Sequence, residues 1–120
     1  MPATRQPLSV AIITLNAAAQ LEACLQSVRF ADEIVVVDSG SSDRTVEIAR
    51  ELGAKVTVTD DWPGFGPQKN RALDLATGDW VLSLDADEWL TAESAEEIRR
   101  AVGDGATGAA AFRIPRRSSF

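Results

Sequence analysis

VLSLDADEWL, residues Val81–Leu90, decides the reading of this chain. Four apolar or small residues lead directly into Asp85, Ala86, Asp87 and Glu88. A short apolar run with a sharp end reads as a buried strand, and the acids then stand at its exit. Carboxylates at the mouth of a buried strand are costly unless something neutralises them. The stretch therefore predicts both a sheet and a cation-binding or ligand-binding group at the sheet's edge.

Working outward, the strand covers Trp80–Leu84, and the segment QKNRALDLA before it reads as a helix closed by Gly78. DDWPGFGP (Asp60–Pro67), with two glycines and two prolines, is a loop. KVTVT (Lys55–Thr59) alternates and predicts a strand near an edge. RTVEIARELG is a short helix with Gly53 at its C-terminal cap and Ser42 or Asp43 at its N-terminal cap. EIVVVD (Glu33–Asp38) and LSVAIITL (Leu8–Leu15) are apolar, β-branched runs and predict buried strands. Between them Leu21, Leu25 and Val28 recur at helical spacing, with Asn16 placed to cap that helix. On the far side, TAESAEEIRRAV (Thr91–Val102) is helical, acidic early and basic late as the helix dipole favours. GDGATG is a connection, and AAAFRI (Ala109–Ile114) is a fifth strand broken by Pro115. Strands alternating with helices predict an α/β fold, a Rossmann-like doubly wound, mostly parallel sheet. A chain that stops soon after a strand is expected to be the N-terminal portion of a larger domain.

The composition narrows the function. Of 120 residues, 45% are hydrophobic and 25% charged, as in one globular domain. Eighteen acids against twelve bases give a net charge of −6, and no basic stripe points to nucleic acid. Histidine is absent and there is one cysteine, so neither a Cys/His zinc site nor a histidine triad can be assembled from this chain. Cys24 falls on a helix face and reads as a small core residue. Any metal is held mainly through oxygen, which favours Mg²⁺, Mn²⁺ or Ca²⁺ over zinc. The N-terminus lacks a signal-peptide run, and no stretch approaches the ~18 apolar residues of a membrane span. The expected compartment is the cytoplasm.

In open α/β sheets, ligands bind beyond the carboxyl ends of the strands, where strand order reverses. With the first strand central, flanked by the second and fourth, three groups converge there: Thr14 to Asn16, Asp38, and Asp85 with Asp87. Taken as extended backbone, Asp85 and Asp87 point the same way. At ~4 Å two like charges repel by about 4 kcal/mol at an effective dielectric near 20, a penalty that a divalent cation removes. One or two carboxylates plus substrate phosphates is a common Mg²⁺ arrangement. A plain surface turn also accommodates Asp-x-Asp, but it does not need a buried strand ahead of it. A dinucleotide site needs Gly-x-Gly-x-x-Gly after the first strand. The corresponding TLNAAAQLEAC has no glycine. Asp38 then reads as an acceptor for a base or sugar, or as an acid that only shapes the turn before Ser39-Gly40.

SVAIITLNAAAQLEACLQSV, EIVVVDSGSSDRTVEIA and GFGPQKNRALDLATGDWVLSLDADE together resemble the N-terminal half of a family 2 glycosyltransferase. The subgroup they most resemble is the lipopolysaccharide-core β-glucosyltransferase type. The resemblance covers nearly the whole chain. It implies that residues 1–120 are the nucleotide-sugar-binding part of a GT-A domain, without the acceptor-binding half. It implies an inverting transfer from a nucleoside diphosphate sugar, of UDP type, to a saccharide or lipid-linked acceptor, with Mg²⁺ or Mn²⁺. It places Thr14 and Asn16 at the nucleotide-facing end of the first strand and Asp38 at the nucleobase. Asp85 falls toward ribose, and Asp87 toward the metal and diphosphate. Gly66, Gln68, Lys69 and Asn70 fall in the segment lining the donor pocket, where Lys69 faces phosphate or solvent. Asp43 and Arg44 match common family residues, and Glu88 stands behind the motif. Trp62, Trp80 and Trp89 read as packing residues. The general base is expected beyond Phe120, so no catalytic residue is assigned within the chain. Work at the inner face of the cell membrane, by peripheral association, is implied as well. The rival readings are a non-catalytic nucleotide- or metal-binding module, and a nucleotidyltransferase, whose glycine- and base-rich loop after the first strand is missing here. A phosphoacceptor receiver domain ranks last, because Lys55–Thr59 leads only into Asp60-Asp61.

Overall fold

The computed structural model describes residues 8–78, 80–103 and 110–113. Strands and helices alternate: β1 (Leu8–Thr14), α1 (Ala18–Ser27), β2 (Glu33–Asp38), α2 (Thr45–Glu51), β3 (Lys55–Val58), α3 (Phe65–Leu75), β4 (Trp80–Asp85), α4 (Ala92–Gly103) and β5 (Ala110–Arg113). Ala109 and Ile114 at the ends of the expected fifth strand, Pro115 and most of the GDGATG connection lie outside the described residues. The strands form one sheet in the order β3-β2-β1-β4-β5, and every pairing is parallel. The first strand is thus central, as its apolar composition required, and the alternating, exposed β3 lies at an edge.

Both faces of β1 are covered, so all seven of its residues are buried. On one face Leu8, Val10 and Ile12 pack with Ile34, Val36, Leu82 and Leu84 against Leu21, Cys24, Leu25 and Val28 of α1 and its end, Ala49 of α2 and Ile98 of α4. On the other, Ala11 and Ile13 pack with Val35 and Val37 against Ala72 of α3. Each fully buried Leu, Ile or Val contributes roughly 1.5–3 kcal/mol of transfer free energy, so the larger first face carries most of the stability.

Polar groups pin the strand register at the amino ends. The Ser9 hydroxyl donates to Glu33 Oε1 at 2.6 Å, and the Thr77 amide donates to the same oxygen at 2.8 Å. Lys55 Nζ donates to Glu33 Oε2 at 2.7 Å, and the Gly78 amide donates to Ser9 Oγ at 2.8 Å. This cluster ties β1, β2, β3 and the end of α3 together below the sheet. A shift of one residue along β2 would separate Ser9 from Glu33.

Helix ends depart from two expectations. Gly53 does follow α2 at φ +90°, the left-handed conformation expected of a residue past a helix end. Asn16, however, does not cap α1: the cap position is Ala17, and Asn16 itself sits at φ +50°. Its side-chain oxygen accepts instead from the Ser42 amide at 2.8 Å. Ser42 is likewise not the cap of α2, whose cap residue is Arg44, while Asp43 Oδ1 accepts from the Thr45 amide at 3.0 Å.

Candidate functional site

Register carries the exits of β1, β2 and β4 to the same end of the sheet. Thr14 lies opposite Asp38, and Ile13 lies opposite Asp85. The next residues of β1 and β4 open a cleft of about 360 Å³. Its lining combines the apolar Ile13, Leu15, Ala17, Phe65 and Ala86 with the polar Asn16, Gln20, Asp85 and Asp87. Phe65 is 72% exposed, a ring presented to solvent at the cleft mouth rather than packed into the core. Trp62 stands edge-on to it, with ring centroids 5.0 Å apart. Of the three tryptophans expected to pack, Trp80 is buried, whereas Trp62 and Trp89 remain substantially exposed.

The acids after β4 do not continue as extended backbone. The Glu88 amide donates to the Asp85 carbonyl at 2.9 Å, which closes a turn over Asp85–Glu88. The two-residue alternation invoked for Asp85 and Asp87 therefore does not apply, because Asp87 sits within that turn. Glu88 is only 3% exposed, and its Oε1 accepts from the Asp85 amide at 2.8 Å. This reciprocal pair, with Asp-x-x-Glu spacing like that of a capping box, satisfies the buried carboxylate and fixes the turn's shape. Behind the turn, the Cys24 thiol donates to the Asp85 carbonyl at 3.7 Å. Burial, with the nearby charges of Glu88, Asp87 and Asp85, pushes that thiol up to about 12, so it remains protonated and unreactive.

Lys69 reaches the same turn from α3. Its ammonium lies 2.9 Å from Asp85 Oδ1, and both side chains are largely shielded, at 22% and 25% exposure. It is neither a solvated helix lysine nor, in this structure, a lone cation.

Asp38 is held differently. Its carboxylate is fully buried. Oδ1 accepts from the hydroxyls of Thr14 at 2.7 Å and Ser41 at 2.6 Å. Oδ2 accepts from the amides of Gly40 at 2.9 Å and Ser41 at 2.7 Å. Burial alone would raise its pKa, but the Ser41 hydroxyl and amide, with Thr14 and Gly40, outweigh burial and hold it below the usual carboxylate value. Four donors occupy the lone-pair sites of one carboxylate, so here Asp38 shapes the loop after β2. Thr14 is spent on the same contact. A nucleobase would have to replace one of these donors to reach it.

Gln68 also lies away from the cleft wall. It is fully buried, and its amide nitrogen donates to Ser39 Oγ and Thr59 Oγ1, both at 3.0 Å. Arg71 donates to Gln68 Oε1 at 2.9 Å and clamps Asp61 with two bonds of 2.7 and 2.9 Å. That hydrogen-bonded clamp lowers the Asp61 pKa and raises that of Arg71. Asn70 and Gly66 are exposed on α3 and do not line the cleft. The structure thus brings Asn16, Lys69, Asp85 and Asp87 together, and uses Thr14, Asp38 and Gln68 to hold the surrounding loops. Gln20 and Phe65 line the cleft without having been singled out. For Phe65, a large ring between Gly64 and Gly66, with no helical partner in sequence, was the available signal.

The N-terminus of α1 is already occupied by protein. The Ala17 amide donates to Thr45 Oγ1 at 2.9 Å, and the Ala18 amide to Asp43 Oδ2 at 3.2 Å. The Thr45 hydroxyl in turn donates to Asp43 Oδ1. Those bonds hold the Asp43 carboxyl below its usual pKa. A carboxylate on the helix N-terminus excludes a phosphate from it, which reinforces the absence of a dinucleotide loop. Arg44 stands outside the cleft, in exposed pairs with Glu47 and Glu51 at 3.8 Å.

The donor set around the turn suits a hard divalent cation, since Asp85 and Asp87 offer only oxygen. It is an incomplete set: among the described residues, no group of three or more acidic, Cys or His side chains is arranged to hold a metal. Such an ion would need further oxygens from a ligand.

Residues 9–119 match the family model described as glycosyl transferase family 2. An uncharacterized glycosyltransferase of Rickettsia bellii is 49% identical over 92 residues, which cover 76% of this chain and 31% of that protein. The chain therefore spans about a third of the length of such relatives. Among solved structures, Staphylococcus aureus TarS 1-349 superposes with a TM-score of 0.67 at 30% identity, covering 77% of this chain and 31% of that one. Glucosyl-3-phosphoglycerate synthase from Mycobacterium tuberculosis, in complex with Mn²⁺, UDP and glucosyl-3-phosphoglycerate, superposes with a TM-score of 0.60 at 29% identity, covering 70% of this chain and 36% of that one.

Proposed function

The chain belongs to glycosyl transferase family 2, and from that premise we propose that residues 1–120 are the donor-binding part of an inverting transferase that uses a nucleoside diphosphate sugar. The observation that carries this reading is the cleft beyond β1 and β4, lined by Asp85 and Asp87 together with Ile13, Leu15, Ala17 and Phe65. Such a cleft offers a surface for a base or sugar ring next to hard oxygen ligands for a metal diphosphate. Support also comes from the M. tuberculosis neighbour, which shares this fold and is described with Mn²⁺ and UDP.

In this reading Asp87 and Asp85 would hold Mg²⁺ or Mn²⁺, and the ion, when bound, supplies Lewis-acid neutralisation of the leaving diphosphate. The chain's own residues do the rest of the donor side. Glu88 fixes the turn that presents both carboxylates. Asn16, held by Ser41 and Ser42, lines the same cleft. Thr14, Asp38, Gln68 and Arg71 keep the loops after β2 and β3 in place. Phe65 and Leu15 offer apolar area to a ring and exclude water from the cleft mouth. Acceptor attack on the anomeric carbon needs a general base, which we assign to a segment of the complete enzyme outside residues 1–120. The acceptor we infer is a saccharide or a lipid-linked saccharide, on the strength of the sequence resemblance to lipopolysaccharide-core enzymes alone. Among the described residues, no helix is long and apolar enough to cross a membrane.

The test is calorimetric titration of UDP with and without Mn²⁺, on the wild type and on Asp87→Asn. The expected result is metal-dependent binding that the substitution abolishes. Equal binding by both proteins, or none by either in the presence of metal, removes the donor site from this turn.

A further inference from the structure

We propose that Lys69 is a built-in counter-cation: in the free protein its ammonium stands at Asp85 in place of the metal, so that metal and nucleotide bind together and metal alone binds poorly. The proposal rests on the donor-site reading above and adds an order to it.

Three observations lead there. First, the contact is short and shielded. Lys69 Nζ lies 2.9 Å from Asp85 Oδ1 with roughly a quarter of each side chain exposed. A half-shielded pair is less screened than a surface pair, so a competitor must replace it rather than slip past it. Second, the position of Lys69 is imposed by its helix. Its neighbour Gln68 is buried and bonded to Ser39 and Thr59, and Ala72, one turn on, packs into the core beneath α3. That buried face sets the rotation of α3 and delivers the adjacent Lys69 to the turn. Third, the turn gathers acids without forming a three-ligand metal cage. Asp85, Asp87 and Glu88 fall within four residues, yet no described group of three such side chains is arranged around a common point.

The consequence is a coupled exchange. A divalent ion that approaches without nucleotide must displace the ammonium and finds an incomplete oxygen shell. With a nucleoside diphosphate present, the phosphates complete the shell and also receive the displaced ammonium. No bond is made or broken covalently; one ion pair becomes two. Coupling of this kind is reciprocal, so metal raises nucleotide affinity by the factor by which nucleotide raises metal affinity.

The experiment titrates Mn²⁺ into the full chain, with and without saturating UDP, for the wild type, Lys69→Met, Lys69→Gln and Lys69→Arg. Urea midpoints measured in parallel identify any variant that is not folded. The wild type is expected to bind Mn²⁺ about tenfold or more tightly with UDP than without it, a difference of about 1.4 kcal/mol. Both neutral variants are expected to bind Mn²⁺ alone about tenfold more tightly than the wild type, while Lys69→Arg stays close to it. Mn²⁺ binding that is unchanged or weaker in the neutral variants overturns the proposal, as does equal wild-type affinity with and without bound UDP. Failure of UDP to bind under any metal condition instead defeats the donor-site reading, and the Mn²⁺-only comparison still reads Lys69 separately.

Discussion

Glu33→Gln is the perturbation whose size the structure defines best. The Glu33 side chain is 8% exposed and joins three strands through Ser9, Lys55 and the Thr77 amide. Burial pushes its carboxyl upward, but the hydrogen bonds from Lys55, Ser9 and Thr77 outweigh this and bring it from 4.5 to about 2. A shift of that size corresponds to an upper bound of about 3 kcal/mol at 1.36 kcal/mol per unit. Lys55 is 72% exposed, so its share is screened, and about 2 kcal/mol is the expected value. The folded pKa is depressed, so the stabilisation is complete above the unfolded value of 4.5 and is lost as pH falls toward 2. A little over half should remain at pH 3.5 and about a quarter at pH 2.5. Gln keeps the shape of the side chain and removes its charge, so the wild type and variant should converge as acid protonates Glu33. Urea unfolding of both proteins between pH 7 and pH 2.5 measures the gap directly. A gap below about 0.5 kcal/mol at pH 7, or one that stays constant down to pH 2.5, would refute the account of this network.

Three other outcomes are expected. Phe65→Ala should change stability by less than about 0.5 kcal/mol, because the ring is exposed, yet weaken UDP or donor binding several-fold in the same calorimetric assay. Unchanged affinity removes Phe65 from the cleft's function. Glu88→Ala should lower stability by about 1–3 kcal/mol, since it strips the Asp85 amide of its acceptor. Glu88→Gln, which retains an acceptor oxygen, should cost less and keep UDP binding, and denaturant melts with titrations separate the two. Cys24 should resist iodoacetamide up to pH 9 in the folded protein and react fully in denaturant, because its thiol is pushed up to about 12. Rapid alkylation of the folded chain, followed by mass spectrometry, would contradict its place behind the Asp85 turn.

What the sequence determined by itself was set by neighbours close along the chain. The β-branched runs of Leu8–Leu15 and Glu33–Asp38, the helical spacing of Leu21, Leu25 and Val28, and Gly53 after α2 are local signals. Their alternation left a central β1 as the economical topology, and that placed Thr14, Asp38 and Asp85 at one end of one sheet. The roles of those residues were not local. Thr14 and Asp38 are 24 positions apart and satisfy each other; Lys69 and Asp85 are remote in sequence and form an ion pair. Asn16 was legible as a helix cap because a cap is a short-range pattern. It bonds across to Ser41 and Ser42 instead, because the parallel register of β1 and β2 brings those two loops together. The turn over Asp85–Glu88 likewise depended on a buried Glu88 meeting the Asp85 amide. Periodicity reports which face of an element is apolar. Which donor meets which acceptor is decided only when packing fixes distances to within a hydrogen bond, and at this site that is the work of the tertiary structure.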